Sequence, residues 1–254
     1  MRVLSWNVNG LRSAAQKGLG EKIKQFDADI IGLQEIRAQP DQIMPLIDDF
    51  PGYHLYFSSG VRPGYSGVAL FCRNKPKELS SELSIPHFDA EGRFQIAVFD
   101  DFCLVNAYFP NGSGKDGDNS RVPFKLEFSH AVLDYLADIK IPKLIIGDFN
   151  TAHQAIDLAR PNANLTSSGF LPEEREHFSY FLAQGYVDTF RHTQPEAGHY
   201  TWWSNRSGAR QRNVGWRIDY VLACQKAHLH VKNAFIWPHI TGSDHCPVGI
   251  DIDF

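Results

Sequence analysis

Hydrophobic and polar positions alternate along much of the chain, and this period of two is typical of half-buried β-strands. Alternating or short apolar runs bounded by turn residues therefore predict a protein rich in strands and hairpins. The predicted strands are RVLSWNV, ADIIGLQEI, YHLYFSS, GVALFCR, RFQIAVF, FCLVNAYF, KLIIGDFN, YVDTFR, YTWWS, WRIDYVLAC, VKNAFIW and CPVGIDI.

Four stretches between these strands have helical periodicity. The clearest is RVPFKLEFSHAVLDYLADIK, where apolar residues recur on one face and Pro123 suits the first turn. We also predict one helix from Gly10 through EKIKQF, a short helix in DQIMPLIDDF interrupted by Pro45, and a helix in LPEEREHFSYFLAQG stopped by Gly185. Helices that alternate with strands and hairpins favour a mixed pair of sheets with helices outside, in one domain over residues 1–254.

Composition and charge narrow the class of protein. The 254 residues are 43% hydrophobic, and the formal net charge of −4 argues against a protein that coats nucleic acid. An enzyme that acts on nucleic acid stays open, because acidic metal ligands lower the sum. The four cysteines show no CxxC spacing, which favours reduced thiols in an intracellular, cytoplasmic protein. No apolar run approaches 18 residues, so we expect no membrane span.

Polar side chains end or open six of the predicted strands. Oxygen donors such as Glu35 and Asp244 favour Mg²⁺ or Mn²⁺, an acid such as Asp148 can activate a water, and Asp219 can fix the tautomer of His245. Together the strand ends predict a metal-dependent phosphoester hydrolase. The residues are Asn7, Asn9, Glu35, Tyr108, Asn111, Asp148, Asn150, Asp219, Asp244 and His245.

Each of these residues also has a structural interpretation when it is taken alone. An aspartate at a strand end is usually a turn former, a histidine such as His245 can be a satisfied core residue, and Tyr108 on a strand can be core. Only the coincidence of so many polar strand ends favours a catalytic site.

The same stretches, read together, resemble the exonuclease III family of apurinic/apyrimidinic endonucleases. The resemblance covers the whole chain, and NVGWRIDY with SGFLPEER is specific to the DNA-repair branch of the wider endonuclease/exonuclease/phosphatase superfamily. It implies a four-layered α/β sandwich, in which two mixed β-sheets pack face to face with helices on both outer sides. The motifs are SWNVNGLR, LQEI, GYSGVALF, GRFQIAVF, YFPNG, GDFNTAHQAIDLARP, SGFLPEER, YVDTFR, YTWWS, RNVGWRIDY and GSDHCP.

The resemblance also implies a role for each strand-end residue. Glu35 is expected to be the main ligand of Mg²⁺ or Mn²⁺, helped by Asn9 and Asp244. Asp148 is expected to prepare the attacking water. Asn150 is expected to orient the phosphate and the nucleophile. Asp219 and His245 are expected to form a hydrogen-bonded pair, with His245 on the scissile phosphate. Contacts to the phosphate or the leaving group are expected from Tyr108, Asn7 and Asn111. A second metal site formed by Asp148, Asn150 and His245 stays open.

A further segment, TWWSNRSGARQRNVGW, carries arginines and tryptophans without a single acid. It is either a solvated loop between core strands or a surface where arginines contact phosphates. The resemblance places Trp202, Trp216 and Ile218 around an abasic deoxyribose and Asn164 on a phosphate, and an apolar pocket of that size would exclude an intact nucleotide by shape. The arginines of this stretch, with the next one along the chain, are Arg206, Arg210, Arg212 and Arg217.

Three functions compete at this point. The leading one is hydrolysis of duplex DNA 5′ to an abasic site, leaving a 3′-OH and a 5′-deoxyribose phosphate, with 3′-phosphodiesterase, 3′-phosphatase and 3′→5′ exonuclease side activities. We expect the protein to be a monomer and to bind nucleoid DNA that carries abasic sites or blocked 3′ ends. The alternatives are a phosphodiesterase of lipid or inositol phosphates, which the arginine and tryptophan segment disfavours, and a non-catalytic DNA-damage binder, which the intact acid set disfavours.

Overall fold

Two six-stranded sheets form the centre of the protein in the computed structural model, which describes residues 1–115 and 117–254. The strand bounds are β1 Arg2–Asn7, β2 Ile30–Gln34, β3 His54–Ser58, β4 Val68–Cys72, β5 Glu78–Ser80, β6 Phe94–Val98, β7 Cys103–Tyr108, β8 Lys143–Asp148, β9 Tyr186–Asp188, β10 Asp219–Cys224, β11 Val231–Ile236 and β12 Val248–Ile252.

Each sheet contains one parallel pair near its centre and antiparallel pairs elsewhere. The first sheet has the order β11-β12-β1-β2-β4-β3, and the second has the order β5-β6-β7-β8-β10-β9. β1 runs parallel to β2, and β7 runs parallel to β8. Because the carboxyl ends of parallel neighbours lie at one edge of a sheet, the polar residues that end these strands are brought together in space.

Helices cover the outer face of each sheet. Their bounds are α1 Leu11–Gln16, α2 Leu19–Phe26, α3 Pro40–Ile43, α4 Pro86–Asp89, α5 Val122–Ala137, α6 Pro172–Ala183, α7 Thr189–Thr193 and α8 Gln225–His228, with short 3₁₀ helices at Met44–Asp49, Ala155–Asp157 and Pro161–Ala163. No helix among the described residues has the length and apolarity that a membrane crossing requires.

Three apolar cores separate the layers. Val3 and Leu144 belong to the core between the two sheets, whereas Leu4, the neighbour of Val3, packs under α1 and α2. Phe128 of α5 belongs to a third core over the second sheet. Alternate residues of one strand therefore enter different cores, as the period of two predicts, and the four-layered α/β sandwich is confirmed.

A small polar cluster ties the sheets together inside the apolar centre. Nε2 of Gln34, at the end of β2, donates to Oδ1 of Asn106 on β7 at 2.8 Å and to Oγ of Ser5 at 3.0 Å. A β-carbon at Gly32 would lie 2.8 Å from that asparagine oxygen, so the absence of a side chain there makes room for Asn106. This cluster links the end of β2 in the first sheet to β7 in the second sheet.

Three predicted elements were wrong in detail. The first predicted helix is two helices, because Gly18 adopts a left-handed conformation between them. In YVDTFR the strand ends at Asp188, whose side chain caps α7 by accepting from the backbone N–H of Arg191 at 3.1 Å. YTWWS forms no strand: Trp202, which lines the cavity, makes isolated bridges to Trp216 and His245. Two short helices, α4 and α8, and the edge strand β5 carried no clear periodicity.

Candidate active site

The polar strand ends meet around one cavity of about 260 Å³ where the two sheets open to solvent. The cavity is lined by residues that the sequence analysis predicted and by others that it did not. They are Asn7, Asn9, Glu35, Arg37, Tyr108, Asn111, Asp148, Asn150, Ser167, Ser168, Gly169, Trp202, Trp216, Ile218, Asp244 and His245. The structure brings nine of the ten predicted strand-end residues to this cavity, and the tenth, Asp219, contacts His245 without lining the cavity itself.

Asp148 lies at the floor of the cavity and is held by amide groups. Its Oδ2 accepts from Nδ2 of Asn7 at 2.9 Å and from Nδ2 of Asn150 at 3.3 Å, and its Oδ1 accepts from the backbone N–H of Asn150 at 2.8 Å. Burial raises the pKa of Asp148, and the nearby charge of Asp219 raises it further. Asp148 is thus a fixed carboxylate whose affinity for a proton is higher than usual.

His245 stands between two carboxylates. Its Nδ1 lies 2.9 Å from Oδ2 of Asp219, and its Nε2 lies 4.0 Å from Oδ2 of Asp148. Burial opposes the charged imidazolium, but the carboxylate of Asp219 and then that of Asp148 raise the pKa of His245 above its ordinary value. The arrangement orients Nε2 toward the cavity and favours its protonated form.

Glu35, which directly follows β2, also lines the cavity. Its Oε1 accepts from the hydroxyl of Tyr108, and Nη2 of Arg37 pairs with its Oε2 at 3.0 Å. Burial, followed by the charge of Glu35, raises the pKa of Tyr108 well above its ordinary value. Tyr108 is therefore a neutral donor that faces an anionic oxygen.

Asp244 and Asn9 form a hydrogen-bonded pair in the wall of the cavity. Asn9 Nδ2 donates to Oδ1 of Asp244 at 2.9 Å, and the indole N–H of Trp202 donates to its Oδ2 at 3.1 Å. Burial opposes ionisation, but the charge of His245 and these two donors hold the pKa of Asp244 below its ordinary value. Asp244 is an ionised oxygen donor at the cavity wall.

The donor set fits a hard divalent cation. Ligand atoms of Asp148, Asp219 and His245 all lie within 4.8 Å of one another, and this group overlaps the predicted second site but contains Asp219 in place of Asn150. Oδ1 of Asp219 is buried without a hydrogen-bond partner among the described residues. An unpartnered buried carboxylate oxygen beside further acids is the environment that a bound cation would compensate.

Aromatic residues form the apolar wall of the cavity. The ring centroids of Trp202 and Trp216 lie 6.4 Å apart in an edge-to-face arrangement, and those of Phe170 and Trp216 also lie 6.4 Å apart. Ile218 is buried in the same cluster. The wall offers a small apolar surface directly beside the acidic floor.

The arginines divide into structural and exposed residues. Arg217 is buried and pairs with Asp157 and Asp188 at 2.8 and 2.7 Å. Arg210 stacks on Trp203 and donates to the backbone carbonyls of Ser243, Pro238 and Ile240. Phosphate contact by these two residues stays a prediction that the contacts disfavour, because Arg217 is buried and Arg210 uses three of its five N–H groups on backbone carbonyls.

Arg206 and Arg212 are exposed, so phosphate contact remains open to both. The side chain of Asn164 is partly engaged within its own loop, where Nδ2 donates to the carbonyl of Arg160 at 2.7 Å and Oδ1 accepts from Ser167 at 3.3 Å. Neither Asn164 nor Arg212 is among the residues that line the cavity.

Arg37 and Arg93 were missed by sequence reasoning. Arg37 directly follows the quoted LQEI stretch and reaches the cavity through its pairing with Glu35. Arg93 is buried with its guanidinium 4.5 Å from the ring centroid of Tyr108, and its Nη1 donates to the carbonyl of Tyr108 at 3.1 Å. A basic residue in the apolar strand run GRFQIAVF was the signal for Arg93, because a buried charge needs a structural partner.

Acids, amides, an imidazole and a phenol converge at one edge of the two mixed sheets. This arrangement defines a phosphoesterase-type site on an α/β sandwich. Residues 4–245 match the Endonuclease/Exonuclease/phosphatase family, and the chain belongs to this family.

Sequence and structure comparisons place DNA-repair nucleases among its relatives. The chain is 39% identical to an exodeoxyribonuclease of Bacillus subtilis (strain 168), with all of both chains covered. It is 38% identical to a DNA-(apurinic or apyrimidinic site) endonuclease of Dictyostelium discoideum, covering all of this chain and 71% of that protein. The structure of the 3′ phosphatase NExo from Neisseria, bound to a product DNA hairpin, superposes over all of both chains with a TM-score of 0.90 at 25% identity.

Proposed function

We propose that this protein is a DNA-repair endonuclease that hydrolyses the phosphodiester 5′ to an abasic site in duplex DNA. The products are a 3′-OH and a 5′-deoxyribose phosphate. Removal of blocking groups from 3′ ends and 3′→5′ exonuclease activity belong to the same proposal, since relatives carry the names of abasic-site endonucleases, exodeoxyribonucleases and a 3′ phosphatase. The observation that carries the proposal is the apolar wall of Trp202, Trp216 and Ile218 beside Asp148 and His245 in one cavity.

The chemical roles follow from the contacts. Asp148 is fixed by Asn7 and Asn150 at the cavity floor, where it accepts the proton of the attacking water. His245, oriented by Asp219, presents Nε2 to the scissile phosphate and stabilises its developing negative charge. Asn111 at the rim donates to phosphate or leaving-group oxygens, and Tyr108 would do the same once a cation bound at Glu35 displaced its hydroxyl from that carboxylate.

A divalent cation, Mg²⁺ or Mn²⁺, is part of the proposal. Glu35, Asn9 and Asp244 would hold it. A second ion at Asp148, Asn150 and His245 is the alternative, in which His245 would bind in its neutral form instead of donating to the phosphate. When bound, the cation would neutralise charge on the phosphate and leaving oxygen. The support is the oxygen-rich donor set, which suits hard cations.

Substrate selection rests on shape. The apolar wall accepts a sugar that lacks its base, while an intact nucleotide would have to fit its base into the same space. Exposed Arg206 and Arg212, together with Asn164, are the proposed phosphate contacts outside the cavity. We further propose that the protein acts on DNA as a monomer, because one chain supplies every proposed ligand and contact. The proposed cytoplasmic location rests on the four free cysteines.

The experiment is cleavage of a duplex that carries one tetrahydrofuran abasic analogue, with Mg²⁺ or with excess EDTA. Incision 5′ to the analogue that needs Mg²⁺ supports the proposal. Tight binding without incision would favour a damage binder, and hydrolysis of inositol phosphates in place of DNA would favour the lipid-type phosphodiesterase. A recessed 3′-phosphate duplex, assayed in parallel, gives the balance between the two DNA activities.

A further inference from the structure

A buried ion pair lies directly behind the cavity, between the two helices that cover the second sheet. Lys125 of α5 and Glu174 of α6 are 3% and 2% exposed, and Nζ lies 2.6 Å from Oε1. Desolvation of two charges is unfavourable unless further hydrogen bonds complete the pair. Among the described residues, the remaining hydrogen bonds of these two side-chain ends go to the turn at Asn150 and to the loop at residues 168–171.

Lys125 holds the turn that presents Asn150. Its Nζ donates to the backbone carbonyl of Asn150 at 2.7 Å. Asn150 has a φ of +49°, in the left-handed region that residues other than glycine rarely adopt. The side chain of Asn150 reaches Oδ2 of Asp148 from this turn, so its position depends on the backbone that the ammonium group holds.

Glu174 holds the loop on the other side of the turn. Its Oε2 accepts from the backbone N–H groups of Gly169 and Leu171 at 2.5 and 3.2 Å, and its Oε1 accepts from the hydroxyl of Ser168 at 3.1 Å. Ser168 and Gly169 line the cavity.

Gly169 joins the two parts of the site. A β-carbon there would lie 3.3 Å from the ring of Trp216 and 3.0 Å from the carbonyl oxygen of Asn150. The loop fixed by Glu174 therefore packs at the same time against the sugar wall and against the turn fixed by Lys125.

We propose that Lys125 and Glu174 are positioning residues that couple the turn presenting Asn150 to the wall that selects the sugar. This assigns a physical role to SGFLPEER, the motif in which α6 begins. Among its described residues, Glu174 is the only acid whose side chain is buried. The inference rests on the proposed function, since it concerns the same site. A displacement of about 1 Å in such a site can reduce a rate on the order of 10²-fold without removing any reacting group.

The test removes both charges together, because a single change would leave one buried charge unpaired. The variant is Lys125→Met with Glu174→Gln, which keeps an acceptor for the amides of Gly169 and Leu171. The matched control is Lys143→Met, since Nζ of Lys143 donates to the carbonyls of Ile139 and Leu136 at the other end of α5, away from the cavity. For each protein the measurements are the melting temperature, the single-turnover rate with saturating enzyme, and the Kd for an abasic duplex in Ca²⁺.

We expect the double variant to melt cooperatively and to cleave the abasic duplex on the order of 10-fold to 100-fold more slowly, with a much smaller change in Kd. The ratio of abasic cleavage to 3′-phosphate removal should fall as well, because a neutral acceptor holds the amides of Gly169 and Leu171, and with them the wall, more weakly than the carboxylate does. A rate and a ratio equal to those of the wild type would overturn the inference. An equal loss of rate in Lys143→Met would also overturn it, because the effect would then be general destabilisation.

Amide hydrogen exchange in the wild-type protein decides the case in which the double variant does not fold. Protection of the Gly169 and Leu171 amides supports anchoring by Glu174, whereas exchange as fast as that of an open loop would overturn it. Inactivity of the wild type on both substrates would reject the proposed function instead, and the exchange rates would still test the anchoring.

Discussion

His245 is hydrogen-bonded to Asp219 and not to Asp148: its Nδ1 lies 2.9 Å from Oδ2 of Asp219, while its Nε2 stands 4.0 Å from Oδ2 of Asp148. The first contact fixes the ring, and the second distance leaves Nε2 directed to the cavity. A carboxylate behind an imidazole favours the tautomer that carries a proton on Nδ1 and stabilises the imidazolium. The two aspartates that flank one histidine therefore have different tasks.

Asp219→Asn tests this division. The amide keeps the shape of the side chain but can turn its N–H₂ toward Nδ1, which would reverse the tautomer and remove the stabilising charge. We expect the single-turnover rate on an abasic duplex to fall on the order of 10²-fold to 10⁴-fold. ¹⁵N spectra of the histidine ring in the DNA-free protein should show the change directly. An unchanged rate and spectrum would mean that Asp219 only fills the core.

Glu35→Gln tests the metal side of the cavity. The amide oxygen still accepts from Tyr108, so the local packing is kept while one anionic ligand is lost. We expect the Mg²⁺ concentration for half-maximal activity to rise on the order of 10-fold or more. The control is Glu21→Gln, an exposed residue of α2 paired with Lys24, which should leave the metal dependence unchanged. Equal metal dependence in both variants would remove Glu35 from the ligand set.

Arg210 and Arg212 should behave differently although they are two residues apart. Arg212→Ala should flatten the slope of log Kd against log salt by about one unit, because each phosphate contact releases about one counterion. Arg210→Ala should leave the slope unchanged and lower the melting temperature, because three backbone carbonyls lose their donor. A flattened slope for Arg210→Ala would show that its guanidinium reaches DNA despite these contacts.

The contrast between these arginines shows what the sequence could predict. Strand periodicity predicted the strands and their polar ends, because both depend on local pattern, whereas the four layers were implied by the resemblance to known nucleases. Whether Arg210 or Arg212 faces solvent depends on carbonyls from Ser243 and Ile240, about thirty residues away in the chain. Patterns of charge carry no information on such partners.

The sequence also could not predict the partners of the buried polar residues. Glu174 has the sequence context of an exposed acid in the first turn of a helix, and Lys125 lies on a helix that also carries exposed charges. Their pairing appears only when α5 and α6 pack side by side over the second sheet. The break between α1 and α2 at Gly18 was, by contrast, predictable from the sequence, because a glycine inside a helical pattern is a turn signal.

Trp216→Ala tests the sugar wall. Trp216 lies edge-to-face with Trp202 and Phe170, and its loss would open the apolar surface beside the acidic floor. We expect abasic cleavage to fall more than removal of a 3′-phosphate, because the second substrate uses less of the wall. Single-turnover rates on the two duplexes, measured with one enzyme preparation, give the ratio. Equal losses on both would mean that Trp216 is a core residue without a role in selection.

Asp148→Asn separates cleavage from binding. The amide keeps the size of the side chain and can still accept from the backbone N–H of Asn150, so we expect the fold to persist. It removes the group that would accept a proton from the attacking water. General-base assistance is typically worth 10²-fold to 10⁴-fold, so the single-turnover rate should fall on the order of 10³-fold.

Binding by the same variant should be equal or tighter. The change removes a negative charge near the scissile phosphate, a repulsion of up to roughly 4 kcal/mol at about 4 Å and an effective dielectric near 20, before a bound cation screens it. Equilibrium binding of an abasic duplex in Ca²⁺, together with the melting temperature, completes the test. Near wild-type cleavage would exclude Asp148 as the base. Loss of cleavage, binding and melting temperature together would assign it a structural role, because a buried carboxylate with three donors also holds Asn7 and Asn150 in place.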